Sequence, residues 1–432
     1  MKRLKLIPLF LAAMLLISCA PANPVTPDGK KPNALLNAPG KVLSAPEYPK
    51  PRSFNDFGGR EEIDESYLEA ARSFCAKSAV LALNDTEGKN ALVSPMSLFF
   101  ALAMAAEGAR GNTKAQLLSA LGADETLLKS ETAKLFRQLY FENEYGSFKT
   151  YNSAWLDGRA QFDQSTLNAL SEAYYAECIA ADFTGTAYKK QIADWISDRT
   201  NGLLGGDPES FELDPQTLMA LINTLYYKDQ WISRFSEENT AAADFYNAGG
   251  NTVQADFLNG TRSGGFSVTD QFTAASIQLK NGSIRFVLPN EGIAPEDILR
   301  DKTLFEPILN GTQEENGFGE ITWSIPKFDY AVELDLGDTL KGLGVSDAFS
   351  SEIADFSGFT TSEQLFLSSV RQGSKIAVNE DGIEAASYTE LAFAGSSMPL
   401  DSAEMILNRP FLYIVYVSGM PVFVGVVNEM NG

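Results

Sequence analysis

Val378-Asn379-Glu380-Asp381-Gly382-Ile383-Glu384-Ala385-Ala386-Ser387-Tyr388-Thr389-Glu390-Leu391-Ala392-Phe393-Ala394-Gly395-Ser396-Ser397-Met398-Pro399 is the stretch on which the fold turns. It continues a strand-like run, Lys375 to Asn379, through a Gly-bearing turn. About fifteen residues follow that neither stop cleanly nor read as an ordinary loop. Positions 383, 385, 387, 389, 391 and 393 are Ile, Ala, Ser, Thr, Leu and Phe, while both charges, Glu384 and Glu390, fall on the even set. Strand side chains alternate between faces, so the segment can enter a sheet with one uncharged face down and one polar face up. Gly395 to Pro399 is small and flexible, as suits an exposed loop tip. The residues describe a loop able to become a strand. An ordinary amphipathic edge strand, or a short helix from Glu384 to Leu391, fits the same parity.

Composition bounds the function. The chain has 432 residues, 44% of them hydrophobic, enough for one large domain or two ordinary ones. Its net charge of −22 carries no basic footprint, so nucleic-acid binding is not expected. There is no histidine. That removes Ser-His-Asp and Cys-His triads and His-ligated zinc. No Gly-rich phosphate loop occurs, and a serine hydrolase with a lysine base stays open in principle. The expectation is a protein that is not an enzyme and uses no cofactor or metal. Cys19, Cys75 and Cys178 form no CxxC pair, so a redox or thiolate-metal role is not expected. Cys75 and Cys178 sit among apolar residues, as buried free thiols do.

Residues 1–18 read as a targeting leader. Lys2, Arg3 and Lys5 precede an apolar run from Leu6 to Ile17 that is too short to span a bilayer. Leu16-Ile17-Ser18-Cys19 resembles the bacterial lipoprotein cleavage box. That likeness implies cutting before Cys19, lipidation of its thiol, and a protein secreted and anchored to the outer cell surface or membrane. An ordinary signal peptide that merely contains a cysteine is the alternative. Acyl chains add about 0.8 kcal/mol per buried methylene, so several would hold the protein on a membrane. Residues 19–55, rich in Pro, Ala, Gly and Asn, read as a semi-extended tether without a core. Residues 56–432 are expected to form one domain.

Within it, Ile63 to Leu83 has helical period. Asn90 to Leu98 reads as a short strand running into a helix, with Ser94 as its cap and Pro95 at its first position. That helix is apolar nearly all round through Ala105, so it must be central. Lys149 to Leu156 alternates as a strand, Phe162 to Tyr175 reads as a helix, Cys178 to Phe183 as a strand and Ala187 to Thr200 as an amphipathic helix. Leu218 to Trp231 is a long apolar strand of the kind buried on both faces. Asn223 in its middle costs about 1–3 kcal/mol unless hydrogen-bonded. Ser276 to Pro289 reads as two strands around Lys280-Asn281-Gly282, a hairpin signal.

Taken in order, these motifs resemble the serpins, the serine-protease inhibitors that trap a target by inserting a loop into their own sheet. Glu380 to Ala386 is similar to the serpin hinge. Asn90 with Ser94-Pro95 and Ser97 is similar to the motif at the base of the central sheet. Thr200-Asn201-Gly202, Asn223 in its strand, Ile321 to Phe328 ending in Pro-Lys, Asp338 to Phe349 with Gly344, Ala354 to Gly358, Asn408 to Phe411 and Pro421 to Asn428 match further signatures. The resemblance runs from about residue 60 to 430. It implies an α+β fold with three β-sheets, eight to nine helices, an exposed reactive-centre loop at about 380–400, and a metastable native state.

The resemblance also implies a mechanism. A protease attacks the loop as substrate and forms an acyl-enzyme, and the freed loop inserts as a central strand and distorts the protease. About ten new backbone hydrogen bonds at ~1 kcal/mol each, plus several large apolar side chains at ~1.5–3 kcal/mol each, give a gross gain on the order of 15–20 kcal/mol, opposed by the ordering of the loop. In the hinge Glu380, Gly382, Ile383, Glu384, Ala385 and Ala386, Gly382 permits the turn and the alanines are small. Ile383 departs from the usual threonine-like residue but is uncharged. Glu380 and Lys327 match a charge pair at the upper end of the sheet, contributing about 0–1 kcal/mol if exposed. Ser94 and Ser97 would bond to Asn223. Gln372 stands where the family commonly carries a histidine bonded to the central asparagine and serine cluster; its amide can still donate and accept there, and histidine-linked pH dependence would be absent. Family spacing from Glu380 gives Ser396–Ser397 as the scissile bond, while counting back from Asn408 lands near Pro399-Leu400. There is no Lys or Arg between Lys375 and Arg409, which disfavours trypsin-like targets. An elastase-like or subtilisin-like protease fits best, and a chymotrypsin-like cut after Phe393 comes second. The implied partner is a serine protease held covalently, with cysteine proteases as further candidates, and the implied state is a monomer. The competing reading is a non-inhibitory serpin-fold binding protein that is only a substrate, for which Ile383 and bulky Tyr388 speak.

Overall fold

A computed structural model of the chain describes residues 12–19, 39–50, 61–84, 86, 88–200, 202, 207–383 and 401–430. The apolar run near the N-terminus forms β1 (Ala12–Cys19), and β2 (Val42–Ser44) follows. α1 (Glu65–Leu83) begins at Asp64, whose carboxylate accepts from the backbone N–H groups of Ser66 and Tyr67, two donors that the helix itself leaves unpaired. β3 (Ala91–Val93) runs into α2 (Pro95–Gly108), capped by Ser94 and buried along its whole length. A helix apolar on every side has no other stable place. α3 (Gly111–Leu121) and α4 (Glu125–Leu139) pack with it. Then come β4 (Phe141–Glu142), β5 (Ser147–Asp157), α5 (Gln164–Tyr174), β6 (Ala176–Ala181), α6 (Ala187–Arg199) and β7 (Thr217–Gln230). The second half holds β8 (Ala241–Tyr246), β9 (Thr252–Val268), β10 (Phe272–Gln278), β11 (Gly282–Pro289), α7 (Pro295–Arg300), α8 (Lys302–Asn310), β12 (Gly317–Pro326) and β13 (Phe328–Asp335). α9 (Gly337–Gly342), β14 (Leu365–Val378), β15 (Gly382–Ile383), β16 (Asp401–Ile406), β17 (Phe411–Val417) and β18 (Met420–Val427) complete it.

The strands form two hydrogen-bonded sets. The central sheet runs from β13 to β14, across a slot that holds β15 at one end and β1 at the other, and on through β7, β5, β6 and β2. β7 is buried at nearly every position, which explains the nearly continuous apolar run in its first part. The second set orders β16-β12-β9-β10-β11-β17-β18-β3, with β8 on β9. The mixed α+β fold is as expected, with nine α-helices among the described residues. The second and third of the three expected sheets are joined in one ladder, because β9 is 17 residues long. Its Phe257–Phe266 stretch pairs with β12 and its Phe266–Val268 end pairs with β10.

The stretch from Asp338 to Phe349 holds helix α9, which ends at Gly342, a turn at Gly344 with φ +90°, and a 3₁₀ turn at Asp347–Phe349. One sequence expectation is corrected. The tether expected to lack a core is docked over residues 39–50. β2 pairs antiparallel with β6, and the Tyr48 ring lies 5.2 Å from that of Tyr151. Tyr48 also donates to Glu177, which accepts from Trp195 and Arg199 on α6. Leu43 and Tyr48 supply an apolar and aromatic anchor that the Pro-rich composition around them conceals. Ala12–Cys19, within the apolar stretch read from the sequence as a leader, is a strand hydrogen-bonded to both β14 and β7.

The hinge and the slot beneath it

The hinge leaves β14 through a tight turn. The Asn379 side-chain oxygen accepts from the N–H groups of Asp381 and Gly382, and the Asn379 N–H donates to the Gly382 carbonyl. Gly382 then pairs with Gln230, and Ile383 with Asp229 on one side and Val378 on the other. The chain has thus begun to add a strand between β7 and β14. Only glycine fits position 382, since a Cβ there would lie 2.1 Å from the Asp229 carbonyl oxygen. Ile383 is 2% exposed.

Charges pin this upper end from outside. Lys327 donates to Glu380 at 3.0 Å and Thr240 donates to the same oxygen at 2.9 Å. Partial burial works against the Glu380 charge, but the backbone, Lys327 and Thr240 outweigh it and hold the carboxyl below its usual range. Asp381 pairs with Arg234. Beneath the turn lies Asp229, fully buried, accepting from the Asn281 N–H at 2.8 Å, the Asn281 side-chain amide at 2.9 Å and the Tyr227 hydroxyl at 3.1 Å. Burial pushes its carboxyl up to about 6, and these donors resist.

The polar cluster below is placed differently from the expectation for Gln372. Ser97 does donate to the side-chain oxygen of Asn223. The Asn223 amide donates to Thr150 at 2.9 Å and Asn152 at 2.7 Å, both on β5. Gln372 clasps the backbone of Ser94 instead, accepting from its N–H at 2.7 Å and donating to its carbonyl at 2.9 Å. Ser94 itself is occupied as the cap of α2, accepting from the Ser97 N–H. A primary amide matches one peptide group's donor and acceptor together, so Gln372 binds backbone where the resemblance implied a side-chain cluster.

Sequence reading missed Thr150, Asn152, Asp229, Arg234 and Thr240. Thr150 and Asn152 stand two apart on a strand, hence on one face, and that spacing was the available signal. Of the hinge, Glu384, Ala385 and Ala386 lie outside the described residues, as do Ser396 and Ser397. Cys19 is the last residue of β1, paired with Leu365.

The lower part of the slot is filled by β1. Leu15 is wholly buried, and Met14 and Leu16 are nearly so. Met14 and Leu16 line a small cavity with Phe211, Leu213 and Arg371, and β1 packs on α2. The slot takes a strand with both faces covered and both edges hydrogen-bonded.

The chain was compared with known proteins. A family model described as "Serpin (serine protease inhibitor)" matches residues 69–430. Among relatives, "Intracellular coagulation inhibitor 2" of Tachypleus tridentatus is 28% identical over 360 residues, 80% of this chain and 86% of that protein. "Iripin-5" of Ixodes ricinus is 28% identical over 367 residues, 81% of this chain and 91% of that protein. Among solved structures, a thermophilic serpin, tengpin, in the native state superposes with a TM-score of 0.78 at 23% identity, covering 91% of this chain and all of that one, a likeness of fold. Thyroxine-binding globulin in complex with thyroxine gives a TM-score of 0.71 at 25% identity, over 84% of this chain and 99% of that one. The chain belongs to the serpin family of serine protease inhibitors.

Proposed function

We propose that the protein is an irreversible, suicide-substrate inhibitor of serine endopeptidases. The observation that carries this reading is the slot between β7 and β14, into which Gly382 and Ile383 already lead as the first two residues of a new strand. The protease serine attacks the carbonyl of Ser396. The Ser396–Ser397 bond breaks, the new amine of Ser397 leaves with the proton relayed by the protease, and an ester joins the protease serine to Ser396. The freed segment from Glu384 then continues the strand that Ile383 begins. The partner is an elastase-like or subtilisin-like enzyme, held covalently by a monomer of this chain, and cysteine proteases that form the analogous thioester fall in the same class. The chain has no catalytic activity of its own, in line with its lack of histidine. Removal of residues 1–18 and lipidation of Cys19 anchor it at the outer surface of a membrane. In place of the histidine switch of the family, Gln372, Ser97, Asn223 and Lys327 hold the sheet until the cut.

The test is incubation with a panel of elastases, subtilisins and chymotrypsins, read on denaturing gels and by mass spectrometry of the released C-terminal peptide. A complex stable to denaturant, with a peptide beginning at Ser397, is expected. Cleavage without complex formation by a chain lacking its leader contradicts the reading. A second reading, a binding protein cleaved only as a substrate, is favoured by one observation: β1 fills the slot in the uncut chain.

A further inference from the structure

β1 lies where the inserted loop belongs, and the register says so from both sides. Ile383 pairs with Asp229 on β7 and with Val378 on β14. A strand continued from Ile383 in that register would meet Thr224 and Gly373 at its fifth further residue, and those are the partners of Ala12. At its eighth it would meet Leu221 and Val370, the partners of Leu15. β1 therefore holds the backbone positions that a continued β15 would take. The leader is also the poorer polar match. Thr224, the partner of Ala12, keeps a buried hydroxyl with no hydrogen-bond partner, and a strand continued from Ile383 would bring Tyr388 to that position. The bond before Cys19, where the leader is expected to be cut, lies inside this strand.

We propose that residues 12–19, while attached, keep the loop's place in the central sheet, so that the uncut chain is cleaved without trapping its attacker and loss of the segment arms it. This rests on the reading that the cut loop inserts. A chain that folds before its leader is removed is thus inert toward proteases around it. The device needs no added partner, because two segments of one chain compete for one slot, and a strand buried on both faces and bonded on both edges holds that slot until it is removed or destabilised.

The full-length chain, made in a membrane-free translation system so that the leader stays attached, tests this in two ways. Leu15 and Leu221 are direct cross-strand partners, at a separation a disulfide can bridge. With Leu15→Cys, Leu221→Cys and Cys19→Ser combined, oxidation should cross-link most of the chain internally; Cys75 and Cys178 are buried. Absence of the cross-link overturns the proposal. In parallel, the unaltered chain and a Leu15→Glu chain, whose buried charge expels β1, are nicked in the loop. The unaltered chain should give cleaved product only, with its thermal midpoint nearly unchanged. The Leu15→Glu chain should form the complex, and its nicked form should melt roughly 20 °C higher, the rise that the gross insertion energy implies for a domain of this size. Equal complex formation by both chains overturns the proposal. A cross-link together with a raised midpoint, but no complex from Leu15→Glu, upholds the leader's seat and rejects the inhibitory reading alone. If Leu15→Glu fails to fold, the cross-link still decides.

Discussion

At the upper end of the slot, two residues are held by one glycine that cannot be replaced, a ring of donors around Asp229 and two ion pairs. At the lower end, β1 is held by two backbone ladders, by the Ser368 hydroxyl donating to the Leu16 carbonyl, and by the burial of Met14, Leu15 and Leu16. The upper end requires glycine at position 382. The lower end admits any uncharged extended segment of suitable parity, because backbone hydrogen bonds do not read side chains. On the proposed function, specificity lies at the hinge and driving force in the lower slot.

The largest expected effect breaks that contrast at its boundary. Ile383→Arg sets a charge at a buried position, a cost of several kcal/mol. It should turn complex into cleaved product by at least roughly ten-fold on gels; an undiminished yield of complex would show that the hinge does not enter first. Gly382→Ala comes next. Its Cβ meets the Asp229 carbonyl, so a loss of about 2–4 kcal/mol in urea unfolding is expected, and a loss below the noise would mean that the upper end is as permissive as the lower. Asn223→Ala leaves Ser97, Thr150 and Asn152 without their shared partner in a dry interior, for about 2–3 kcal/mol, measured in the same way and contradicted by a neutral result.

Asp229 gives a smaller effect with a definite sign. Its carboxyl binds protons more tightly folded, at about 6, than unfolded, near 3.9. The folded state is therefore favoured as pH falls through 6, and the gain is complete only below about 4. Between pH 7 and pH 5 this group should add about 1 kcal/mol of stability, absent in Asp229→Asn. An unchanged pH profile in that variant would remove Asp229 from the account. Lys327→Ala should cost less than about 1 kcal/mol, since the lysine side chain is 37% exposed. A larger loss would mark the pair as a principal lock of the upper end.

The upper end was largely legible in the sequence. Gly382 announces a tight turn because the backbone geometry there demands glycine, and the resemblance to serpins paired Lys327 with Glu380, as found; the parity after Gly382 lies outside the described residues beyond Ile383. The apolar run of β7 likewise announced a strand buried on both faces. What was not legible depends on pairings distant in sequence. Nothing in Gln372 distinguishes a side-chain partner from the Ser94 backbone 278 residues away. Leu6 to Ile17 reads as a leader by its charge and length, and the same apolar, uncharged residues make a strand wherever an open slot exists. The docked end of the tether escaped for a related reason: one aromatic ring in a Pro-rich stretch has meaning only beside Tyr151 and Glu177.

The most direct measurement is backbone hydrogen exchange in the Leu15→Glu chain before and after a single cut in the loop. Amides of β7 from 217 to 224 and of β14 from 367 to 373, open once β1 leaves, should become strongly protected on cutting. Unchanged exchange there, with the loop cut and the domain intact, contradicts insertion.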